Sequence, residues 1–233
     1  MQARSVRRAF AVTASALALI STHAGASYAA LAPASAPTAV SPATKALLVK
    51  VGMQQSDLEP GYKLMLQVDG EKLESDADNN CNKVFVTDSQ RLARREVVVV
   101  NPKGEEIPLG GEVTVYKDAL VAAIAMKEWR ASVASCKPGT WIAGDVRSED
   151  VRIDSETNRL NRALPVADNI DTNILLTPRG SKTSFRLLII GQRKGAIVTT
   201  TYIITAKQPN AIDVAALRIL ATATGKRLAA AVR

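Results

Sequence analysis

The N-terminal segment constrains this chain most, because it predicts export across a membrane before the remainder folds. Three arginines, Arg4, Arg7 and Arg8, precede an apolar run over residues 9–20, and small residues follow as far as Ser27-Tyr28-Ala29. A basic start, an apolar centre and an A-x-A-like end are the three parts of a secretory signal peptide. The run is too short to stay as a membrane-spanning helix. We therefore expect cleavage after Ala29 and a secreted protein of the extracellular space or cell envelope.

Three segments follow from this interpretation. Residues 1–29 form the signal peptide, and residues 30–44, rich in Ala, Pro, Ser and Thr, form a flexible spacer. Residues 45–233 are long enough for one domain with a real core. No stretch within them is apolar for long enough to cross a bilayer, so we expect no transmembrane anchor.

The charge of the chain argues against nucleic acid as a partner. It has 30 basic and 22 acidic residues, and three of the bases lie in the signal peptide, so the mature charge is 27 − 22 = +5. The bases are scattered, and the nine aromatic residues do not alternate with them. Nucleic-acid-binding proteins instead concentrate basic residues on one face.

Cys81 and Cys136 are the only cysteines, and an even pair in an exported chain favours a disulfide. A bridge would close a loop of about 56 residues and stabilise the fold by roughly 4 kcal/mol. The alternative role is a catalytic thiol. It needs a base such as histidine, and the only histidine, His23, lies in the signal peptide.

The residue pattern predicts an α+β fold, an antiparallel β-sheet flanked by helices and carrying one disulfide. Helices are predicted over residues 41–53, 119–135 and 210–232, the second capped by Asp118. Strands are predicted over 63–68, 96–101, 112–117, 174–177, 185–189 and 196–205, the last two forming a hairpin after a turn from Gly191 to Gly195. Residues 145–161 show no clear periodicity of apolar and charged residues, so the sequence assigns them to neither helix nor strand. The apolar stripe of the second helix comprises Ala122, Met126, Trp129, Val133 and Cys136, which predicts that Cys136 is buried beside Trp129 and Val133.

A calcium loop is the first candidate site. Asp76, Asp78 and Asn80 match its first, third and fifth positions, but the sixth position, which requires a glycine, is Cys81. The twelfth, which should be a glutamate, is Thr87. A solvated acidic loop explains this segment better, and we expect no metal and no cofactor.

Carboxylates between residues 145 and 156 are the second candidate, because a hydrolase can use two converging acids. Alternation with Arg147 and Arg152 is more typical of an ion-paired surface. No nucleophile elbow, P-loop or dinucleotide fingerprint occurs, so we expect no enzymatic activity. The carboxylates of this alternative are Asp145, Glu149, Asp150, Asp154 and Glu156.

Three stretches of the chain resemble one known family. They are Ser56-Asp57-Leu58-Glu59-Pro60-Gly61-Tyr62, the stretch from Cys81 through residues 89–97 (SQRLARREV), and the helix end Ala134-Ser135-Cys136-Lys137-Pro138-Gly139. Together they resemble actinobacterial secreted sensor-domain proteins related to the extracellular domain of PknH-type kinases. The resemblance implies an extracytoplasmic module with a groove for a ligand, and it carries over the Cys81–Cys136 bridge. This chain has no kinase part.

We therefore expect a non-enzymatic, ligand-binding domain whose partner is an unknown small molecule or a component of the cell envelope. The alternatives are the hydrolase and an interaction protein that inhibits or escorts another exported protein. We also expect weak, salt-sensitive attraction to anionic polymers. Strand alternation places Arg186 opposite Phe185 and Leu187, and a hairpin tip carries two further bases. The predicted anion-contact surface is Lys182, Arg186, Arg193 and Lys194.

Overall fold

The structure is a computed structural model. It describes residues 40–73, 85–139, 141–142, 146–153, 164–178, 180–206 and 211–232. Three α-helices lie in these ranges: α1 (Pro42–Val51), α2 (Ala119–Ser135) and α3 (Ala211–Ala231). Two short 3-10 turns cover Gln55–Asp57 and Val86–Gln90.

The eight described strands form one antiparallel sheet in the order β1-β2-β3-β8-β7-β6-β5-β4. The predicted α+β fold, with an antiparallel sheet and helices packed on it, is confirmed. The strands are β1 (Lys63–Leu66), β2 (Arg91–Val100), β3 (Glu106–Tyr116), β4 (Trp141–Ile142), β5 (Val146–Ile153), β6 (Asp168–Pro178), β7 (Phe185–Lys194) and β8 (Ile197–Ala206).

Local signals explain where the first two helices begin. The Ser41 hydroxyl accepts a hydrogen bond from the Thr44 amide at 3.1 Å. The Asp118 carboxylate accepts one from the Val121 amide at 2.9 Å. Each cap satisfies an amide that has no partner inside the helix, and the predicted Asp118 cap of α2 is confirmed. Helix α1 begins at Pro42, inside the segment predicted as a spacer over residues 30–44.

Two helical layers enclose the sheet. Alternate residues of β7 point to opposite faces, so Ile189 packs with α2 while Leu188 and Ile190 pack with α3. On the α2 side the core includes Trp129 and Met126. Helix α1 lies on the same side as α3, where Leu48 and Leu228 share a cluster. Both faces of the central strands are therefore buried.

An ion pair connects the two ends of the described chain. Arg227 of α3 donates to both carboxylate oxygens of Asp57, at 2.8 and 2.6 Å, and to the Gly52 carbonyl at 2.8 Å. Such bidentate pairs combine strength with fixed geometry. The pair holds the segment after α1 against the last helix.

Several predicted boundaries differ from the structure. β2 begins at Arg91, five residues before the predicted start, and residues 146–153, which showed no period, form β5. Gly191 lies inside β7, and the hairpin turn consists of Gly195 and Ala196 alone. In each case, pairing with the neighbouring strand extends the strand through polar residues.

The disulfide in the predicted fold class requires correction. The described ranges contain one cysteine, Cys136, so no disulfide joins two described residues, and Cys81 lies outside them. Cys136 also does not continue the buried stripe of α2. The helix ends at Ser135, and Cys136 is a half-buried cap whose extended backbone (φ −70°, ψ 124°) leads the chain off the helix. The described residues thus show the α+β architecture alone, and Cys136 among them is not a free thiol.

Candidate ligand-binding cleft

A small cleft lies between α2 and the sheet. It is partly open to solvent and has a volume of about 30 Å³. Aromatic and aliphatic side chains form most of its wall, and three polar residues of β3 and β8 form the rest. The lining residues are Phe85, Glu112, Thr114, Tyr116, Ala125, Met126, Trp129, Val198 and Thr200.

The polar end of the cleft is built on two paired strands. Glu96 of β2 lies directly opposite Glu112 of β3, and the guanidinium of Arg94 hydrogen-bonds both carboxylates. Its Nε donates to Glu112 Oε2 at 2.7 Å, and its Nη2 donates to Glu96 Oε2. The Thr114 hydroxyl donates to the other oxygen of Glu112 at 2.5 Å. Tyr202 Oη completes the group with a 3.2 Å bond to Glu96.

Burial and neighbouring carboxylates disfavour negative charge at this end of the cleft. Burial raises the pKa of Glu96, and the neighbouring Glu112 carboxylate raises it further, against the opposing effect of Arg94. Burial also raises the pKa of Tyr116, and the nearby carboxylates of Asp88 and Glu112 add to the shift. A negative charge is therefore disfavoured at two separate positions around the cleft.

Two polar groups of the lining residues are unsatisfied. Trp129 is 5% exposed, and its indole Nε1 is buried without a hydrogen-bond partner within the described part of the chain. The Thr200 hydroxyl is in the same state. Leaving such groups unpaired costs about 1–3 kcal/mol each. Both groups belong to residues that line the cleft.

Neighbouring elements fix the cleft walls. The indole of Trp129 lies on Gly191, where an added Cβ would come within 2.2 Å of Cζ3. Glu128 accepts hydrogen bonds from the Val86 amide at 3.0 Å and from the Thr87 hydroxyl at 2.6 Å. These bonds hold the turn next to Phe85 against α2. The wall of the cleft is thus preorganised by its surroundings.

The outer side of α2 is held by a second ion-pair group. Arg130 donates to Asp168 Oδ1 at 2.6 Å, and Arg193 donates to the other oxygen of the same carboxylate. Burial alone would raise the pKa of Asp168, but the hydrogen bonds from Arg130 and Arg193 lower it overall. The ionised carboxylate links α2 to β6 and β7.

The four residues of the predicted anion-contact surface do not lie together. Lys182 precedes β7 and Arg186 lies near its start, whereas Arg193 and Lys194 lie at its end. The eight steps from 186 to 194 span about 26 Å at 3.3 Å per residue. Arg186 is half-buried and donates to Asn173 Oδ1 at 2.6 Å. Lys194 Nζ donates to the Ala229 carbonyl at 2.6 Å. Lys182 is exposed.

The candidate carboxylates of the hydrolase alternative are only partly described. Glu149 and Asp150 lie in β5, where the pairing with β6 shifts register between Ser148 and Asp150. Asp145, Asp154 and Glu156 lie outside the described residues, as do Asp76, Asp78 and Asn80 of the calcium-like loop.

Sequence reasoning missed the group of Arg94, Glu96 and Glu112. A usable signal was present, because charged residues two apart in a strand lie on one face. Arg94 and Glu96 fit that spacing. The pairing of Glu96 with Glu112 could not be inferred, because it depends on the register between β2 and β3.

Comparison with known proteins yields matches among solved structures. No protein family and no curated protein matches this chain. The crystal structure of the extracellular domain of PknH from Mycobacterium tuberculosis is similar with a TM-score of 0.48 and 10% sequence identity. The match covers 79% of this chain and 98% of that domain. It is the type of domain that the sequence motifs resemble, but similarity this weak assigns neither family nor function. Among the described residues, no helix has both the length and the apolar character needed to cross a membrane.

Proposed function

We propose that this protein is an exported, non-enzymatic ligand-binding domain and that the cleft beneath α2 is its binding site. The three-part N-terminal sequence supports export. The ligand is a small molecule or part of an envelope component. Its polar group enters the cleft while the remainder extends toward solvent.

One observation carries the proposal. Two buried polar groups, Trp129 Nε1 and Thr200 Oγ1, have no partner in the described structure, and both belong to residues that line the same cleft. Buried polar groups in proteins are nearly always hydrogen-bonded, so exceptions require an explanation. A bound group inside a preformed, mainly apolar cleft is the explanation that fits ligand sites in general.

An interaction or inhibitor protein is the second candidate function. Its support is the edge strand β1 and the turn after it, where Met65 and Leu66 are about half exposed and Val68 is 84% exposed. Exposed apolar edges favour pairing with another chain. A partner protein that co-elutes with the secreted protein, and is lost in Val68→Asp, would favour this candidate. The hydrolase alternative remains a prediction from sequence.

The test measures binding at the cleft itself. The chain has two tryptophans, so Trp141→Phe leaves Trp129 as the only indole fluorophore. Protein with this change, recovered from the culture medium or envelope of its host, is titrated with small amines, carboxylates, polyols and aromatic acids. We expect at least one class to change Trp129 emission and raise the melting temperature.

Cleft-filling variants provide the control. Ala125→Phe places a ring in the cleft and should abolish both responses, whereas Ala131→Phe, at an exposed site on the same helix, should preserve them. If Ala125→Phe does not fold, Thr200→Val replaces it as the test variant, because it removes a hydroxyl from a lining residue at nearly constant volume. Responses of equal size in the cleft-filling and control variants, or no response to any class, would overturn the proposal.

A further inference from the structure

The polar end of the cleft contains more acid than base among the described side chains. One guanidinium, that of Arg94, serves two carboxylates, Glu96 and Glu112. Arg94 also donates to the backbone carbonyls of Asp69 and Lys72, at 3.3 and 3.5 Å. With both acids ionised, the three side chains sum to −1. A cationic ligand group would balance that charge.

The walls of the cleft also suit a cation. Phe85, Tyr116 and Trp129 contribute three aromatic rings. Aromatic faces attract ammonium groups, and the attraction is stronger where water is excluded.

The unpartnered Trp129 Nε1 adds a second requirement, because an indole N–H is only a donor and an ammonium cannot accept from it. The ligand must therefore also carry an acceptor such as a hydroxyl.

The size of the cleft restricts the cation. A single water needs roughly 10–15 Å³ of cavity space, so a volume of about 30 Å³ holds about two groups of that size. A primary ammonium is a group of that size, whereas a trimethylammonium group is several times larger. The cleft therefore favours a primary amine over a quaternary one.

We propose that the cleft binds a small amino alcohol, with its primary ammonium at Glu112 and its hydroxyl supplying the acceptor that Trp129 lacks. This inference rests on the proposed function, because it specifies the ligand class of the same cleft. Both oxygens of Glu112 already accept one hydrogen bond each, from Arg94 and Thr114. An ionised carboxylate has about four acceptor positions, so two remain for the ligand.

The experiment compares four probes of related shape in the Trp141→Phe protein at neutral pH. They are ethanolamine, a cation; ethylene glycol, its neutral counterpart; glycolate, an anion; and choline, a quaternary amino alcohol. Trp129 emission and the melting temperature report binding. We expect ethanolamine to bind about tenfold more tightly than ethylene glycol, the ratio that a partly desolvated cation–aromatic contact provides. Choline and glycolate should bind more weakly still.

Charge-neutral variants assign the effect to the carboxylate. Glu112→Gln should remove the preference for ethanolamine over ethylene glycol, while Glu106→Gln, at an exposed site on the same strand, should retain it. If Glu112→Gln does not fold, Glu96→Gln raises the net charge of the group from −1 to 0 and should weaken ethanolamine binding.

The outcomes separate this inference from the proposed function. Binding of glycol or glycolate as tight as that of ethanolamine, abolished by Ala125→Phe, would overturn the amine inference and support a ligand cleft. Binding of choline at least as tight as that of ethanolamine would contradict the size argument. If none of the four probes binds, the amine inference is wrong, and the broader titration decides the proposed function by itself.

Discussion

Individual carboxylates in this protein experience opposite environments. Glu96 is half-buried beside Glu112, and its pKa is raised above the ordinary value of 4.5. Asp168 receives hydrogen bonds from Arg130 and Arg193, and its pKa lies below the ordinary value of 3.8 in spite of burial. At Glu96, burial and the like charge of Glu112 outweigh one arginine that is shared between two acids, whereas at Asp168 two arginines serve one acid.

The Asp168 shift predicts a specific pH dependence of stability. The native state releases the Asp168 proton at lower pH than the unfolded state, whose aspartates titrate near 3.9. Stability from this group is therefore present above about pH 4 and lost as pH falls through the lower native pKa. We expect Asp168→Asn to lower the free energy of unfolding by about 1–3 kcal/mol at neutral pH, because charge-assisted hydrogen bonds are lost. Urea denaturation at several pH values measures this.

The control for that series is Asp69→Asn, because Asp69 pairs with Lys72 on an exposed surface. It should change the free energy of unfolding by less than about 0.5 kcal/mol. The difference between wild type and Asp168→Asn should shrink toward pH 2. A difference that stays constant from pH 7 to pH 2 would contradict the assigned cause.

At the scale of elements, the seating of α2 on the sheet depends on a residue without a side chain. Trp129 lies against Gly191 of β7, and an added Cβ would approach Cζ3 and Cη2 to 2.2 and 2.7 Å. Glycine in a strand often marks such a close approach. The ring cannot retreat easily, since Ile170 and Ile189 belong to the same buried cluster.

We therefore expect Gly191→Ala to destabilise the protein by about 1–3 kcal/mol through overpacking. Urea denaturation followed by far-UV circular dichroism measures the loss. In a Trp129→Leu background, the same substitution should cost much less, because the obstructing ring is absent. Equal costs in both backgrounds would show that backbone effects in β7, rather than contact with Trp129, cause the loss.

At the scale of the whole molecule, the sheet separates the basic residues that the sequence grouped. Lys182 and Arg186 lie at one end of β7, and Arg193 and Lys194 at the other. Three of these cations already have internal partners: Asn173 for Arg186, Asp168 for Arg193 and the Ala229 carbonyl for Lys194. A concentrated anion site from these four residues is therefore a weaker hypothesis than dispersed attraction.

Weak binding to anionic polymers remains a prediction for the secreted chain of expected charge +5. Retention on a cation-exchange resin and on purified envelope should fall steeply with salt, because exposed charges are screened over about 8 Å at physiological ionic strength. The variant Lys182→Gln, which changes an exposed base, should elute close to wild type. A large loss of retention from this one change would show that a local anion site exists after all.

The sequence by itself determined what depends on neighbours in the chain. The α2 helix from Ala119 to Ser135, its Asp118 cap and the β7–β8 hairpin follow from spacing and from residues that favour caps and turns. Only the tertiary structure decided the strand order, the extension of β2 to Arg91 and the meeting of Arg94, Glu96 and Glu112. Each depends on register between strands. A slip of one residue would turn every side chain to the other face, so only the packed sheet fixes which charges meet beside the cleft.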